Sequence, residues 1–213
     1  MKCGSSSVGR ASASQAEGRG FESRLPLKGS NYRRIVTSPN RINPSTIMLT
    51  IRQATLSDIQ LIRALATEIF PYTYRIIHTP EQNDYMMEWM YSEESLRKQM
   101  SSGHAFFIPE LDGKAIGYLS VQTEDEDLFH LQKIYLLPAY QGKGYGKQLF
   151  HFAVEYIHSV HPAPCIMRLN VNRRNTTAVD FYQRMGMYKA DEGDFHIGNG
   201  FYMTDYIMEN RVE

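Results

Sequence analysis

The sequence predicts an α/β fold of the α+β kind, and three observations predict it. Short runs of alternating or β-branched apolar residues are interleaved with longer stretches of 3.6-residue periodicity, in the order βααββ-βα-βα-ββ. Asp112-Gly113 joins two of the strand-like runs as a hairpin turn does, so part of the sheet is antiparallel. A strand-like run at Phe129–Leu137 passes through Gln141-Gly142-Lys143-Gly144-Tyr145-Gly146 straight into an amphipathic helix, which supplies a β-turn-α unit at the centre.

Leu49 to Ala54 alternates as a strand does, and Thr55 or Ser57 caps the start of a helix. Ile59, Ile62, Leu65, Ala66 and Ile69 then form its apolar stripe, and Pro71 is expected to interrupt it. Between Tyr72 and Met100, Thr79-Pro80-Glu81 and Ser92-Glu93-Glu94 each read as a helix N-terminus, with Tyr85, Met86, Trp89 and Met90 clustered between them. His104–Pro109 and Lys114–Gln122 are strands, and Glu124 to Asp127 is an acidic loop. Pro138 ends the central strand, because proline cannot donate to a sheet ladder. Leu149, Phe152, Ala153, Tyr156, Ile157 and Val160 mark the apolar face of the next helix. Cys165–Val171 is a strand. Thr176–Met185 is a short helix capped by Asn175 and stopped by Gly186, and Tyr188–Ile197 and Phe201–Met208 close the chain as strands.

At 213 residues the chain holds one domain with a full core. No apolar run approaches the ~18 residues of a membrane span. The two cysteines, Cys3 and Cys165, suggest neither a disulfide framework nor a zinc site, and a reducing cytoplasm is the default. A formal charge of zero hides an asymmetry. Residues 1–47 carry 8 basic and 2 acidic residues, whereas residues 48–213 carry 15 basic and 21 acidic ones. The first 47 residues have too few large apolar side chains to fold alone. They imitate a transit peptide in composition but lack its amphipathic pattern. Ser6-Ser7-Val8-Gly9-Arg10-Ala11 and Gly20-Phe21-Glu22-Ser23 can be back-translated into sequences that resemble the D-arm and T-arm of a tRNA gene. The expectation is therefore a disordered, non-native leader read through from a tRNA gene, ahead of a domain spanning 48–213. A nucleic-acid partner rests on that leader alone and is not expected.

A glycine-rich turn between a strand and a helix N-terminus is an anion cradle: the first-turn N–H groups lack intrahelical partners and the macrodipole is positive there. Lys143 and Lys147 add full charges. The P-loop pattern fails, because Gln141 stands for its first glycine and Gln148 for its hydroxyl residue. The dinucleotide pattern Gly-x-Gly-x-x-Gly fails because Lys147 stands for its last glycine. Gln141 to Gly146 instead resembles Gln/Arg-x-x-Gly-x-Gly/Ala, the pyrophosphate loop of the GNAT N-acetyltransferases, which bind acetyl-CoA. Asn175 to Met187 is similar to that family's second signature, Asn-x-x-Ala-x-x-x-Tyr-x-x-x-Gly-Phe, with Met187 in place of Phe. The resemblance covers residues 49–210 and looks most like the branch holding bacterial spermidine/spermine acetyltransferases. It implies a mixed, mostly antiparallel sheet of six to seven strands flanked by about four helices.

The resemblance also implies roles. Acetyl-CoA, as cosubstrate and without a metal, would lie against Ile134, Tyr135 and Leu136 of the central strand. It would also meet Gln141, Gly142, Lys143, Gly144, Tyr145, Gly146 and Lys147 of the loop, and Asn175 and Tyr182 beyond it. Leu136 or a neighbour would give a backbone N–H to the thioester oxygen, and Tyr182 matches the general acid. His130 occupies the position where relatives often carry a glutamate and is the candidate base, with His196 and Tyr135 weaker candidates; Gln132 shares its face but does not titrate. The net −6 of residues 48–213 and the acids Glu68, Asp84, Glu88, Glu93, Glu94 and Glu124 to Asp127 favour a cationic amine acceptor. Polyamines come first, protein N-termini or lysines second. The other reading is an acyl-CoA-binding module without turnover. Monomer and homodimer both stay open.

Overall fold

The computed structural model describes residues 33–36 and 49–213. A short strand β1 (Arg33–Val36) runs antiparallel to β2 (Leu49–Gln53) at one edge of the sheet. The tRNA-like segments of the leader lie outside the described residues. Five helices follow in chain order: α1 (Ile59–Tyr74), α2 (Pro80–Tyr91), α3 (Glu93–Ser101), α4 (Tyr145–Val160) and α5 (Thr176–Arg184). The remaining strands are β3 (His104–Leu111), β4 (Lys114–Ala115), β5 (Gly117–Asp125), β6 (Leu128–Leu136), β7 (Cys165–Asn172), β8 (Tyr188–Gly198) and β9 (Phe201–Val212). They form one nine-stranded sheet of order β1-β2-β3-β5-β6-β7-β9-β8, with β4 pairing β3. Without β1 and the two-residue β4, seven strands remain, within the six to seven the resemblance implied. Only β6 and β7 run parallel among the described pairs.

The helices start where the capping residues stand. Thr79 accepts the Gln82 N–H with Pro80 in the first helical position, Ser92 accepts that of Ser95, and Asn175 that of Ala178. Gly186, at φ 89°, turns the chain out of α5, and the Met187 N–H reaches back to the Tyr182 carbonyl at 3.0 Å. Pro71 does not end α1, contrary to expectation: the helix continues to Tyr74. The proline sits one turn from the C-terminus, so it costs a single hydrogen bond, and Phe70 and Ile69 beside it are fully buried. Burial of that last turn holds the helix through the break.

The sheet is covered on both faces. Leu149, Phe152, Ala153 and Ile157 of α4 and Tyr182 of α5 pack on one. Ile62, Ala66 and Ile69 of α1, Met86 of α2 and Leu96 of α3 pack on the other. Among the described residues no helix is long and apolar enough to cross a membrane. Gly117, at the start of β5, lies so close to β6 that an added Cβ would stand 2.1 Å from the Tyr135 carbonyl oxygen. Gly117→Ala should therefore destabilise by about 2–4 kcal/mol. Thermal denaturation should show a Tm lower by roughly 5–15 °C; an unchanged Tm would contradict the close approach.

Candidate active site

The site begins with a one-residue irregularity in β6. Ser120 of β5 faces Lys133, but Val121 faces Leu131, so Gln132 is an extra residue bulged out of the ladder. Because side chains alternate along a strand, one inserted residue exchanges the faces beyond it. Phe129 and Leu131 lie under α4 together with Ile134 and Leu136. His130 and Gln132 line the opposite side together with Lys133 and Tyr135.

The partner strand departs at the same place. β6 pairs in parallel with β7 from Leu128–Ile166 to His130–Arg168, after which the pairing ends while β7 runs on to Asn172 against β9. Leu137 N–H donates to Ile116 O at 2.9 Å. By the alternation of an antiparallel ladder, Tyr135 exchanges its bonds with Tyr118, whereas Ile134 and Leu136 turn N–H and C=O away from β5 into the gap. Gln141 confirms the direction, since its Nε2 donates to Leu136 O at 2.9 Å.

The glycine-rich loop closes the end of the gap. Gly142 and Gly144 stand at φ 71° and 85°, in the left-handed region, and Gly144 is the N-cap of α4 with no side chain capping it. Gly146 has φ in the ordinary range and meets only the Phe181 ring, 3.7 Å from where its Cβ would stand. Gln141 N–H is taken by Pro138 O at 3.2 Å. Its part is to shape the loop. Among the described residues no acceptor stands against the N–H groups of Gly142, Lys143 or Gly144, and those of Tyr145, Gly146 and Lys147 begin the helix without intrahelical partners. Lys143 and Lys147 are exposed beside them. The loop therefore fits a diphosphate, and the gap fits an extended chain bearing amides. The side chain of Asn175 is spent on capping α5.

A cavity of about 480 Å³ opens on the α1–α3 side of the gap. Tyr74, Tyr85 and Tyr135 line it, and Tyr91 and Tyr118 pack next to them. Tyr74 and Tyr135 share a hydrogen bond of 3.1 Å, and Tyr91 accepts from Tyr118 at 2.9 Å. Tyr182, 9% exposed, neighbours Tyr74 and Tyr135 from the core on the α4 side and does not itself line the cavity. Burial, with Tyr74 adding to it, raises the Tyr182 phenol well above its ordinary range, so it stays protonated. His130 Nδ1 lies 2.7 Å from Glu124 Oε1. Burial would raise the Glu124 carboxyl, but the bond with His130 and the charges of His130 and Arg168 together outweigh it and hold the group below the usual carboxylate range. His130 and Tyr182 are not in contact: five residues along β6 separate His130 from Tyr135, roughly 16 Å of strand. His196 lines the cavity but is exposed, packed edge-on against Tyr202 at 5.0 Å.

Of the acids expected to attract a cation, Glu124 lines the cavity. Glu68, Asp84, Glu88, Glu93, Glu94, Asp125 and the turn acids Glu126 and Asp127 are exposed; Glu124 and Asp125 belong to β5, not to the acidic loop expected there. Two buried charges escaped the sequence reading. Lys133, 4% exposed, places Nζ 2.6 Å from Gln99 Oε1 and over the rings of Tyr91 and Phe106, and burial lowers it to about 7. Its burial follows from the bulge, which no local pattern announces. Asp205, 3% exposed, is raised to about 6 by burial, against the bond with Asn170 and the charge of Arg173. A signal for it existed: Met203, Asp205 and Ile207 form an inward series with an acid in the middle. Among the described residues no group of His, Cys, Asp and Glu gathers as metal ligands.

The sequence model of the acetyltransferase (GNAT) domain matches residues 76–210. The chain belongs to the GNAT acetyltransferase family. This family member is 28% identical over 170 residues to an uncharacterized N-acetyltransferase in the pepI 3′ region of Lactobacillus delbrueckii subsp. lactis, covering 76% of the chain and 96% of the relative. It is 27% identical over 168 residues to the spermidine N(1)-acetyltransferase of Thermoplasma acidophilum, covering 76% and 97%. The crystal structure of the PaiA N-acetyltransferase of Thermoplasma acidophilum in complex with coenzyme A superposes with a TM-score of 0.64 at 27% identity, covering 76% of this GNAT chain and 98% of that one.

Lys133 has a measurable consequence for this acetyltransferase. Its folded-state value lies below the ordinary 10.5, so the unfolded chain binds more protons between about pH 7 and 10, and stability rises with pH across that window. Urea denaturation from pH 7 to 9 should show a steeper rise for the natural protein than for Lys133→Met. Parallel curves would contradict a buried, partly neutral lysine.

Proposed function

We propose that the protein transfers an acetyl group from acetyl-CoA directly to a primary amine within a ternary complex, in the cytoplasm, and that residues 48–213 carry the activity. The observation that carries this reading is the pair of strand residues, Ile134 and Leu136, turned into a gap that ends on the unoccupied N–H groups of Gly142 to Lys147. Acetyl-CoA supplies an activated thioester. The chain supplies the rest.

Gly142 to Lys147 hold the diphosphate with backbone N–H groups, and Lys143 and Lys147 neutralise it. Ile134 and Leu136 align the pantetheine arm and offer an N–H to the thioester oxygen, where negative charge develops. Tyr182, kept protonated by burial, gives its proton to the departing thiolate. The amine must arrive neutral, and for a lysine-like amine at pH 7 losing its proton costs roughly 4–5 kcal/mol. His130 lowers that cost by accepting the proton through water, since it stands along the strand from Tyr182. Glu124 at its Nδ1 steadies the imidazolium that results.

For the acceptor, polyamines come first and protein N-termini or lysines second. The Thermoplasma spermidine acetyltransferase supports that order, as do two carboxylates, Glu124 and Asp205, on a cavity walled by Phe70, Tyr74 and Trp89.

Release of free CoA thiol across an amine panel tests the reading, using a chain that begins at Met48. The expected result is release with at least one primary amine. Uptake of acetyl-CoA with no release on any amine would contradict the enzyme reading. Tyr182→Phe should lower kcat by roughly 10–100-fold with acetyl-CoA affinity changed less than about twofold; equal losses in both would contradict the acid. In His130→Ala the acidic limb of the kcat/KM profile should flatten, and an unchanged profile would remove the base.

A further inference from the structure

Most charges around the cavity are spent on one another. Glu124 holds His130 at 2.7 Å, and Arg168 Nη2 holds Glu209 at 2.6 Å. Asp205 is the exception among the carboxylates. It lines the cavity at 3% exposure, and among the described residues no cationic nitrogen lies within 4 Å of it. Asn170 hydrogen-bonds it, and Arg173 reaches it only as a more distant charge, being itself paired with Asp194 and Glu192. The neighbouring Asn172 offers no help, since its amide goes to Thr204 Oγ1 and its carbonyl oxygen takes the Arg174 N–H. A carboxylate removed from water without a counter-ion is costly, and a cation delivered by a ligand offsets that cost.

The position fits such a ligand. Asp205 stands opposite Asn172, on the stretch of β7 that has already parted from β6. Tyr74, which lines the same cavity, bonds Tyr135 through its hydroxyl at 3.1 Å. The carboxylate therefore lies on the far bank of the gap from Ile134 and Leu136, on a cavity it shares with Tyr74 and Tyr135. Phe70, Tyr74 and Phe195 turn aromatic surface to the same cavity, and ring faces favour cations.

We propose that Asp205 docks the acceptor, its carboxylate holding a protonated nitrogen of an alkylamine on the β7–β9 side of the gap. This deepens the acetyltransferase reading and rests on it for the identity of the cavity. Asp205 selects for an ammonium group and against an uncharged acceptor of the same shape.

The test is calorimetric binding of 1,4-diaminobutane to the protein saturated with CoA, with 1,4-butanediol as the uncharged match, so that no turnover is needed. The natural protein should bind the diamine and not the diol. Asp205→Asn should weaken the diamine by roughly 10–100-fold, the range of a charged hydrogen bond, with CoA affinity unchanged. Asp205→Glu, which keeps the charge, should retain part of the diamine affinity, and it serves as the reporter if Asp205→Asn does not fold. Equal diamine affinity in Asp205→Asn, an equal loss of CoA affinity, or no diamine binding by the natural protein would overturn the proposal. Diamine binding that depends on Asp205, with no acetyl transfer to any amine, would uphold the dock and overturn the transferase reading instead.

Discussion

The structure depends on a parting of two strands. β6 and β7 share a parallel ladder as far as His130 and Arg168, and beyond that point each keeps only its outer partner. Backbone polar groups in a sheet interior are normally paired, because leaving them dry and unbonded costs as much as a lost hydrogen bond. The inward-turned Ile134 N–H and C=O and the Leu136 N–H thus form a row open to an extended ligand, while Leu136 O is held by Gln141. The bulge at Gln132 contributes twice, by strengthening the local twist that drives the strands apart and by exchanging the faces of everything after it.

From that exchange the site acquires its contents. Without the extra residue, Tyr135 would lie under α4 and Ile134 would face the cavity. With it, Tyr135 meets Tyr74, and Lys133 reaches Gln99 through the layer of α1 and α3. Gln99 is fixed in turn, donating to Met90 O and Ser95 Oγ. The cavity is thus walled by side chains whose positions are set by packing and by hydrogen bonds beyond the site. The loop at its end needs less support, because two glycines with positive φ and the start of α4 create the cradle from backbone alone.

That difference explains what could be read from the sequence. The glycine loop, the α4 stripe, the Thr79, Ser92 and Asn175 caps and the stop at Gly186 are local devices, and each stands where the residues placed it. The roles given to Leu136 and Tyr182 came from the resemblance, Leu136 lying just ahead of the first signature and Tyr182 within the second. Lys133 was not, because its burial depends on register between β5 and β6, which is a tertiary property. The acids divide for a related reason: charge counted along the chain says nothing about facing, and Glu68, Asp84, Glu88, Glu93 and Glu94 are exposed while Glu124 and Asp205 line the cavity. Pro71 misled because burial of Ile69 and Phe70 outweighs one missing hydrogen bond.

Amide hydrogen exchange, followed residue by residue with and without acetyl-CoA, tests the central claim most directly. Protection should appear at Ile134 and Leu136 and at Gly142 to Lys147, and Tyr135, already paired across to β5, should change little. Protection confined to other parts of the chain, or none at saturating acetyl-CoA, would contradict the assignment of this gap as the seat of the thioester.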